Sequence, residues 1–296
     1  MATVELSRLR RTLGRWYRVN GRHDLPWRTT RDPYAVLVSE VMLQQTQVSR
    51  VHPRYETWLK RWPTAESLAE ATTGTVIREW AGLGYNRRAV NLQRAAREAL
   101  EKFGGIPTEE AKLLTLPGVG PYTAAAVACF AGDKRTVALD TNIARVVART
   151  LLGEATARVP HKQKLKEAAK AWLPKRGTRA HQLAAMDLGA TVCKASSPAC
   201  EICPLKSDCT WLAAGQPEAD PTPNGKVTAA PFKSTARFAR GQIVAILAKD
   251  SPLPASSIAA QLPEEHQENC GRYLEALAGD GIVTFRKEHW GLAEDL

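Results

Sequence analysis

The chain of 296 residues is long enough to bury a large hydrophobic core, so its length demands neither disulfides nor a partner chain. It carries 41 Lys and Arg against 30 Asp and Glu, a net charge of +11, and the whole excess lies in residues 1–220. A basic excess of this size favours a polyanionic partner, with nucleic acid first; the alternative is a basic surface without a specific partner.

The N-terminal segment LSRLRRTLGRWYRV places Leu, Trp and Tyr between arginines at helical spacing. A signal peptide would instead show an uninterrupted apolar run after its first charges. No stretch approaches the ~18 apolar residues of a membrane span. We therefore expect a soluble, cytoplasmic protein without a membrane partner.

Helical periodicity dominates the following segments. Apolar residues recur at i, i+3, i+4 and i+7 in AVLVSEVMLQQTQV, AVNLQRAAREALEKF and NIARVVARTLL, and glycine or proline stands at the breaks between helices. The pattern predicts an all-α fold.

A single carboxylate, Glu40, lies within the apolar helix VSEVMLQQTQV. It either edges a polar stripe beside Gln44 and Gln47, as a solvated side chain, or faces a pocket. In a pocket, desolvation would raise its pKa and make it a usable proton donor.

The turn LPGVGPY contains Gly118 and Gly120 and precedes the helix TAAAVACFA. Free backbone amides and the positive end of the helix dipole together make an anion site. The spacing is not that of a nucleotide P-loop, because no Gly-Lys-Ser/Thr follows. A helix, a tight turn and a second helix suit a DNA backbone phosphate, and an ordinary interhelical turn is the alternative.

Asp140 in VALDTNIARVV follows an apolar run and precedes a helix. The position predicts an N-cap, since an aspartate there accepts hydrogen bonds from the first free amides. A carboxylate fixed in this way could also face a developing positive charge, and the two roles are compatible.

Four of the six cysteines are clustered with the spacing C-x6-C-x2-C-x5-C: Cys193, Cys200, Cys203 and Cys209. In a cytosolic chain four close thiols more plausibly hold a metal than form disulfides. Zinc and an iron-sulfur cluster use the same ligands, and the spacing leaves both open. Cys129 and Cys270 lie in helical runs, which is typical of core residues.

Residues 216–236 are rich in Pro, Gly, Ala and Thr and are interpreted as a linker. Residues 237–296 show three helical segments and two short β-like pieces, an order that suggests a winged-helix-like module. Its predicted third helix carries Glu264, Glu265, Glu268 and Glu275. The residues from Pro221 onward carry 8 basic and 9 acidic side chains, and this near-neutral charge favours packing or protein contact over DNA binding.

Six motifs occur in an order that identifies a family: LPW, SEVMLQQTQV, GLGYNRRAVNL, LPGVGPYTAAAV, LDTNIARVVAR, and MDLGATVC followed by the cysteine loop. Together they resemble a MutY-type adenine DNA glycosylase of the helix-hairpin-helix, endonuclease III-like superfamily. The resemblance covers residues from about 20 to 212, nearly all of the basic part. The Nudix-like domain usual at the C-terminus of this family is not recognisable after the linker.

The resemblance implies an all-α fold with two helical subdomains. Residues 29–136 would form a six-helix barrel with the helix-hairpin-helix motif, and residues 1–28 and 137–215 would form the iron-sulfur subdomain. The family's cluster ligands match Cys193, Cys200, Cys203 and Cys209, so the resemblance favours a [4Fe-4S] cluster over zinc.

The resemblance also assigns roles to single residues. Glu40 matches the catalytic acid, Asp140 the carboxylate that stabilises the sugar cation, and Asn142 a partner of Asp140 or of the active-site water. Tyr122 stands where the lyase branch of the superfamily has a Schiff-base lysine, which implies hydrolysis by water. The residues matched to the base pocket and to DNA binding are Trp27, Arg28, Gln45, Thr46, Tyr85, Gly118, Gly120 and Asp187.

The implied activity is that of a monofunctional DNA glycosylase in base excision repair. It would hydrolyse the N-glycosidic bond of adenine mispaired with 8-oxoguanine or guanine in double-stranded DNA, as a monomer in the bacterial nucleoid. Two alternatives remain: a thymine or other mismatch glycosylase or an endonuclease III-like lyase on the same fold, and a non-catalytic iron-sulfur DNA-binding protein.

Overall fold

The computed structural model describes residues 5–156, 162–218 and 231–294. The first half contains the helices α1 (Leu6–Asn20), α2 (Pro26–Thr29), α3 (Pro33–Leu43), α4 (Val48–Arg61), α5 (Ala65–Glu70), α6 (Thr73–Glu79), α7 (Arg87–Phe103), α8 (Glu110–Leu113) and α9 (Pro121–Phe130). The helices that follow are α10 (Thr141–Val147), α11 (Lys162–Trp172), α12 (Thr178–Thr191), α13 (Thr210–Ala213), α14 (Ala236–Lys249), α15 (Ala255–Ala259), α16 (Glu264–Gln267) and α17 (Cys270–Gly279).

Strands in the described ranges are confined to one antiparallel hairpin, β1 (Val283–Arg286) and β2 (His289–Leu292), in which Val283 pairs with Leu292. The predicted all-α fold is therefore confirmed. None of the described helices is both long and apolar enough to span a membrane.

The chain divides into two compact units. The first unit comprises Met1–Val36, Pro107–Leu114 and Val119–Pro223, and the second comprises Leu37–Ile106, Thr115–Gly118 and Asn224–Leu296. Most of the predicted linker 216–236 lies outside the described residues, which resume at 231 before α14 begins at Ala236.

In the first unit, α12 packs against α1 and α10. The amphipathic helix α1 buries Leu9 and Leu13 and leaves most of its arginines outside. A glycine is required where α12 meets α10, because a Cβ on Gly189 would lie 2.7 Å from the Cβ of Asn142 and 2.8 Å from its carbonyl oxygen. This close approach fixes the start of α10, where Asp140 and Asn142 lie.

In the second unit, α7 packs against α5 and α6. The buried amide of Gln93 on α7 donates to the carbonyl of Ala71 at 2.6 Å and accepts a hydrogen bond from Thr73 at 2.8 Å. These bonds pair the buried amide of Gln93 with polar groups between α5 and α6. A buried amide left unpaired would cost about 1–3 kcal/mol.

The C-terminal module, residues 236–294, belongs to the second unit. Its helices share one apolar cluster with Ile77 of α6 and Val90 of α7, and Leu247 and Leu274 are fully buried in that cluster. The predicted order of three helical segments and a hairpin is present, although the third segment is divided into α16 and α17. Of the expected roles, packing or protein contact, this cluster shows packing against α6 and α7.

Candidate active site and iron-sulfur centre

Asp140 is the N-cap of α10, as the sequence predicts. Its carboxylate accepts hydrogen bonds from the backbone N–H of Ile143 at 2.6 Å and from Nδ2 of Asn142 at 2.8 Å. Burial raises the pKa of Asp140, and the hydrogen bonds together with the charge of Arg145 oppose that rise. The carboxylate is thus held rigidly by donors that favour its charged form.

A chain of hydrogen bonds leads from Asp140 to the cysteine loop. The guanidinium of Arg145 donates from Nη2 to Oδ1 of Asn142 at 2.7 Å and from Nε to the carbonyl of Cys193 at 2.6 Å. Arg145 was not among the predicted site residues. Its position three residues after Asn142, on the same face of a helix, is the signal that could have indicated it.

The four clustered cysteines line one cavity together with Trp211. Cys200 and Cys203 flank a short 3₁₀ turn, and Cys209 is the N-cap of α13. Among the described residues no three His, Cys, Asp or Glu side chains lie close enough together to hold a single metal ion. Burial raises the pKa of Cys203 to about 11, so a bound metal would be needed to hold this thiol as a thiolate. Four thiols that line one cavity fit a cluster that takes four cysteine ligands.

Arg149 supports this loop and was also missed by the sequence analysis. Its guanidinium is buried, donates to the carbonyls of Lys194 at 2.7 Å and Ala195 at 2.9 Å, and lies 3.5 Å from the sulfur of Cys193. It also stacks 4.4 Å from the ring centroid of Trp211. A buried cation beside the cysteines favours the negative charge that thiolate ligands carry.

A second polar cluster of the first unit joins α2 to α12. Asp187 is fully buried and accepts from Nη2 of Arg28 at 2.9 Å and from Nε of Arg22 at 2.8 Å. Nε and Nη1 of Arg28 are buried and donate to no described residue. Trp27, next to Arg28 on α2, is buried as well. The predicted pocket residues Trp27, Arg28 and Asp187 therefore include a buried guanidinium with unused donors.

Glu40 lies in the second unit, on α3. It is 7% exposed, so the solvated-face interpretation is wrong, and the alternative, a carboxylate that faces a pocket, stays a prediction. The helix predicted to continue to Val48 ends at Leu43.

Gln45 and Tyr85 occupy the tips of two turns in the second unit. Both have left-handed backbone conformations, with φ of 55° and 47°, and both side chains are exposed. Both also line one cavity. A positive φ in a residue other than glycine costs free energy, so each turn must be held by its surroundings.

Arg88 supplies that support, and it was not among the predicted site residues. Its Nη1 donates to the carbonyls of Val41 and Gln44 at 2.7 Å each, at the end of α3. Its Nη2 donates to the carbonyl of Gly84 at 3.0 Å and to Oγ1 of Thr46 at 3.2 Å. Burial lowers the pKa of Arg88 to about 10, which leaves it charged at neutral pH. One guanidinium thus joins both turns.

The predicted phosphate turn connects α8 to α9. Gly118 has a φ of +72°, and a Cβ there would lie 2.7 Å from the Cβ of Asn91, so only glycine fits. Gly120 is the N-cap of α9 with an ordinary φ of −87°, and a Cβ there would meet no atom within 4 Å. Tyr122 is the second residue of α9 and is half-buried.

Two groups of predicted residues are brought together within single units. Asp140, Asn142 and the four cysteines form one group, connected through Arg145, and Arg28 with Asp187 forms the other. In the second unit, Thr46 is joined to the Tyr85 turn through Arg88.

Comparison with known proteins gives the class first. Residues 38–175 match the HhH-GPD superfamily of base excision DNA repair proteins, and residues 193–209 match the iron-sulfur binding domain of endonuclease III. A structure of a thermostable thymine-DNA glycosylase is 30% identical, with a TM-score of 0.65 over 71% of this chain and 97% of that one. A trapped endonuclease III–DNA covalent intermediate, 22% identical over 73% of this chain and 100% of that one with a TM-score of 0.59, shares the fold.

Curated relatives narrow the class to a family. The adenine DNA glycosylase of Mycobacterium tuberculosis (strain H37Rv) is 40% identical over 91% of this chain and 88% of its own. That of Mycolicibacterium smegmatis is 41% identical over 90% of each chain. The chain belongs to the adenine DNA glycosylases of the helix-hairpin-helix superfamily. The resemblance drawn from the six motifs is confirmed, and so is the [4Fe-4S] cluster, since the match to the iron-sulfur domain begins at Cys193 and ends at Cys209.

Proposed function

We propose that the chain is a monofunctional glycosylase that hydrolyses the N-glycosidic bond of adenine mispaired with 8-oxoguanine or guanine in double-stranded DNA. The observation that carries the proposal is the half-buried Asp140 carboxylate, fixed by two hydrogen bonds of 2.6 and 2.8 Å, in a chain 40% identical to an adenine DNA glycosylase. We further propose that the protein acts as a monomer in the bacterial nucleoid.

Two carboxylates divide the chemistry. The buried Glu40 donates a proton to the ring of the adenine, which turns the base into a leaving group. The deoxyribose then becomes an oxocarbenium-like cation, and the anionic Asp140 stabilises it electrostatically. Asn142 holds Asp140 in position, and water completes the hydrolysis.

The target adenine must leave the base stack before it can be protonated. We assign its pocket to Trp27, Arg28 and Asp187. The buried Nε and Nη1 of Arg28, which have no described partner, supply donors for the ring nitrogens of a flipped base. Asp187 holds the guanidinium in place through Nη2 at 2.9 Å.

DNA binding is assigned to the second unit and to the turn before α9. Gln45 and Tyr85 project from exposed turns and would fill the gap that the flipped base leaves in the stack. Gly118 shapes the turn, and the open backbone of Gly120 allows a phosphate to approach the start of α9.

Tyr122 supports the assignment of a monofunctional glycosylase. A lyase needs an amine that attacks the sugar and forms a Schiff base, and a tyrosine offers none. The product is therefore an intact strand with an abasic site. The [4Fe-4S] cluster, held by Cys193, Cys200, Cys203 and Cys209, fixes the loop whose first carbonyl Arg145 binds.

A base-release panel tests the proposal, with duplexes that contain A:8-oxoguanine, A:G, T:G and oxidised pyrimidines. We expect adenine release from the first two, without strand cleavage until alkali is added. Glu40→Gln and Asp140→Asn should abolish release while DNA binding persists. Adenine release that survives both substitutions would contradict the mechanism.

The similarity to a thymine-DNA glycosylase structure at 30% identity supports one second candidate, removal of thymine from T:G. Release of thymine without adenine would favour it over our proposal. DNA binding without release from any duplex would instead favour the non-catalytic iron-sulfur protein.

A further inference from the structure

A cavity of about 1050 Å³ in the second unit is lined by both the Tyr85 turn and the C-terminal module. The Gln45 and Tyr85 turns contribute one wall, with Arg50 beside them. Phe232, which precedes the module, and Arg237, at its start, contribute another. The module therefore reaches the same space as the two residues proposed to enter the DNA stack.

Arg237 places a positive charge of the module in the cavity wall. Its guanidinium is exposed and donates from Nη1 to the hydroxyl of Tyr85, and it lies 5.3 Å from the ring centroid of Tyr85 and 4.8 Å from that of Phe232. Two aromatic faces hold a cation in a fixed place without neutralising it. The partners of Arg237 among the described residues, Tyr85 and Phe232, are not acidic.

Two other arginines of the cavity differ in this respect. Arg87 and Arg240 both form ion pairs with Asp280 on the module, at 3.3 Å for Arg87. Arg50, like Arg237, has a neutral partner, because it donates to the carbonyl of Gly82. Arg88 also lines the cavity and donates only to backbone carbonyls and to the hydroxyl of Thr46. Arg50, Arg88 and Arg237 thus give this space a positive potential that no described carboxylate cancels by a direct ion pair.

We propose that this cavity is a DNA-binding surface and that Arg237 of the C-terminal module binds a backbone phosphate next to Tyr85. Arginine is suited to this contact because its planar fork matches the phosphate oxygens. The near-neutral charge of residues 221–296 predicted packing or protein contact for the module, and the proposal adds one phosphate contact made by a single arginine. Only the identity of the partner, DNA, rests on the proposed function.

The salt dependence of DNA binding tests the inference, since each phosphate contact contributes about 0.9 to the slope of log Kd against log salt concentration. The full chain with its cluster is titrated with a fully paired duplex and with an A:8-oxoguanine duplex at several salt concentrations. Arg237→Ala should reduce the slope by about one unit on both duplexes, and Arg237→Lys should retain it. The matched control is Arg286→Ala, which removes an exposed arginine of the same module outside the cavity.

Two outcomes would overturn the inference. One is a slope for Arg237→Ala equal to that of Arg286→Ala. The other is a loss that disappears in a Tyr85→Phe background, because Arg237 would then act only through the Tyr85 hydroxyl. Failure of the wild-type chain to release adenine would refute the proposed function alone, since the binding slopes are measured independently of base release.

Discussion

Asn142 forms hydrogen bonds with two charged side chains: it donates to the carboxylate of Asp140 and accepts from the guanidinium of Arg145. We expect Asn142→Ala to lower the rate of adenine release about 10- to 100-fold, because a hydrogen bond to a charged group contributes about 1.5–3 kcal/mol. Single-turnover base release measures this. The closest control is Thr141→Ala, which changes the exposed neighbouring side chain on the same helix.

The pH profile of the same variant separates positioning of Asp140 from a general loss of structure. Burial raises the pKa of Asp140, while the bond from Asn142 lowers it. Removing that bond should raise the pKa further, so activity should be lost at a higher pH as the solution is acidified. An acid limb at the same pH in both proteins would mean that Asn142 does not support the charged form of Asp140.

Arg28 and Arg22 offer a matched pair, because both bind Asp187 but only Arg28 keeps two buried donors without a described partner. Arg28→Lys keeps the charge and removes those donors, so adenine release should fall about tenfold or more. Arg22→Lys should have a much smaller effect in the same single-turnover assay. Equal losses would show that the two arginines matter only through Asp187.

At the scale of residues, the sequence predicted contacts between residues that are close together in the chain, and it did not predict contacts between distant residues. Asp140 was predicted as an N-cap because its partner, Ile143, lies three residues away. The contact of Arg145 with Cys193 spans 48 positions, and that of Arg88 with Val41 spans 47. No periodicity encodes such contacts, so both arginines were found only in the structure.

At the scale of elements, Arg88 decides how α3 ends and how the next turn is held. A lysine has one ammonium with three donors and cannot reproduce the two-armed set of bonds to Val41, Gln44 and Gly84. We expect Arg88→Lys to destabilise the protein by about 1–3 kcal/mol, the cost of buried carbonyls left without a donor. Urea unfolding measures it, with the exposed Arg94→Lys on the same helix as control.

Arg88→Lys should also weaken binding to the A:8-oxoguanine duplex, because Gln45 and Tyr85 would no longer be held in their left-handed conformations. Unchanged affinity together with the loss of stability would restrict Arg88 to a structural role. The helical pattern predicted α3 correctly but extended it to Val48, because the apolar spacing continues past Leu43. In the structure α3 ends at Leu43, and Arg88 donates a hydrogen bond to the carbonyl of Gln44 just beyond it.

At the scale of the whole molecule, the helical content and the cysteine loop followed from periodicity and spacing, and the family followed from six motifs. Two helical subdomains were expected from the family resemblance, and their bounds stay a prediction. The grouping of Asn224–Leu296 with Leu37–Ile106 in one unit did not follow, because these stretches are far apart in the sequence. The packing of the module against α6 and α7 was not predicted either, because a net charge does not indicate which apolar residues its helices bury.

That placement predicts cooperative unfolding across the second unit. Ile77 on α6 and Leu247 on α14 are both buried in the cluster that the module shares with α6 and α7. Ile77→Ala and Leu247→Ala should each lower the free energy of unfolding by about 2–5 kcal/mol. Because the cluster is continuous, both should shift the same transition in urea, whether it is followed by circular dichroism or by tryptophan fluorescence.

The control is Val19→Ala, at a position 83% exposed, which should change the free energy of unfolding by no more than about 0.5 kcal/mol. A separate early transition in Leu247→Ala alone would show that the module unfolds independently of α6 and α7.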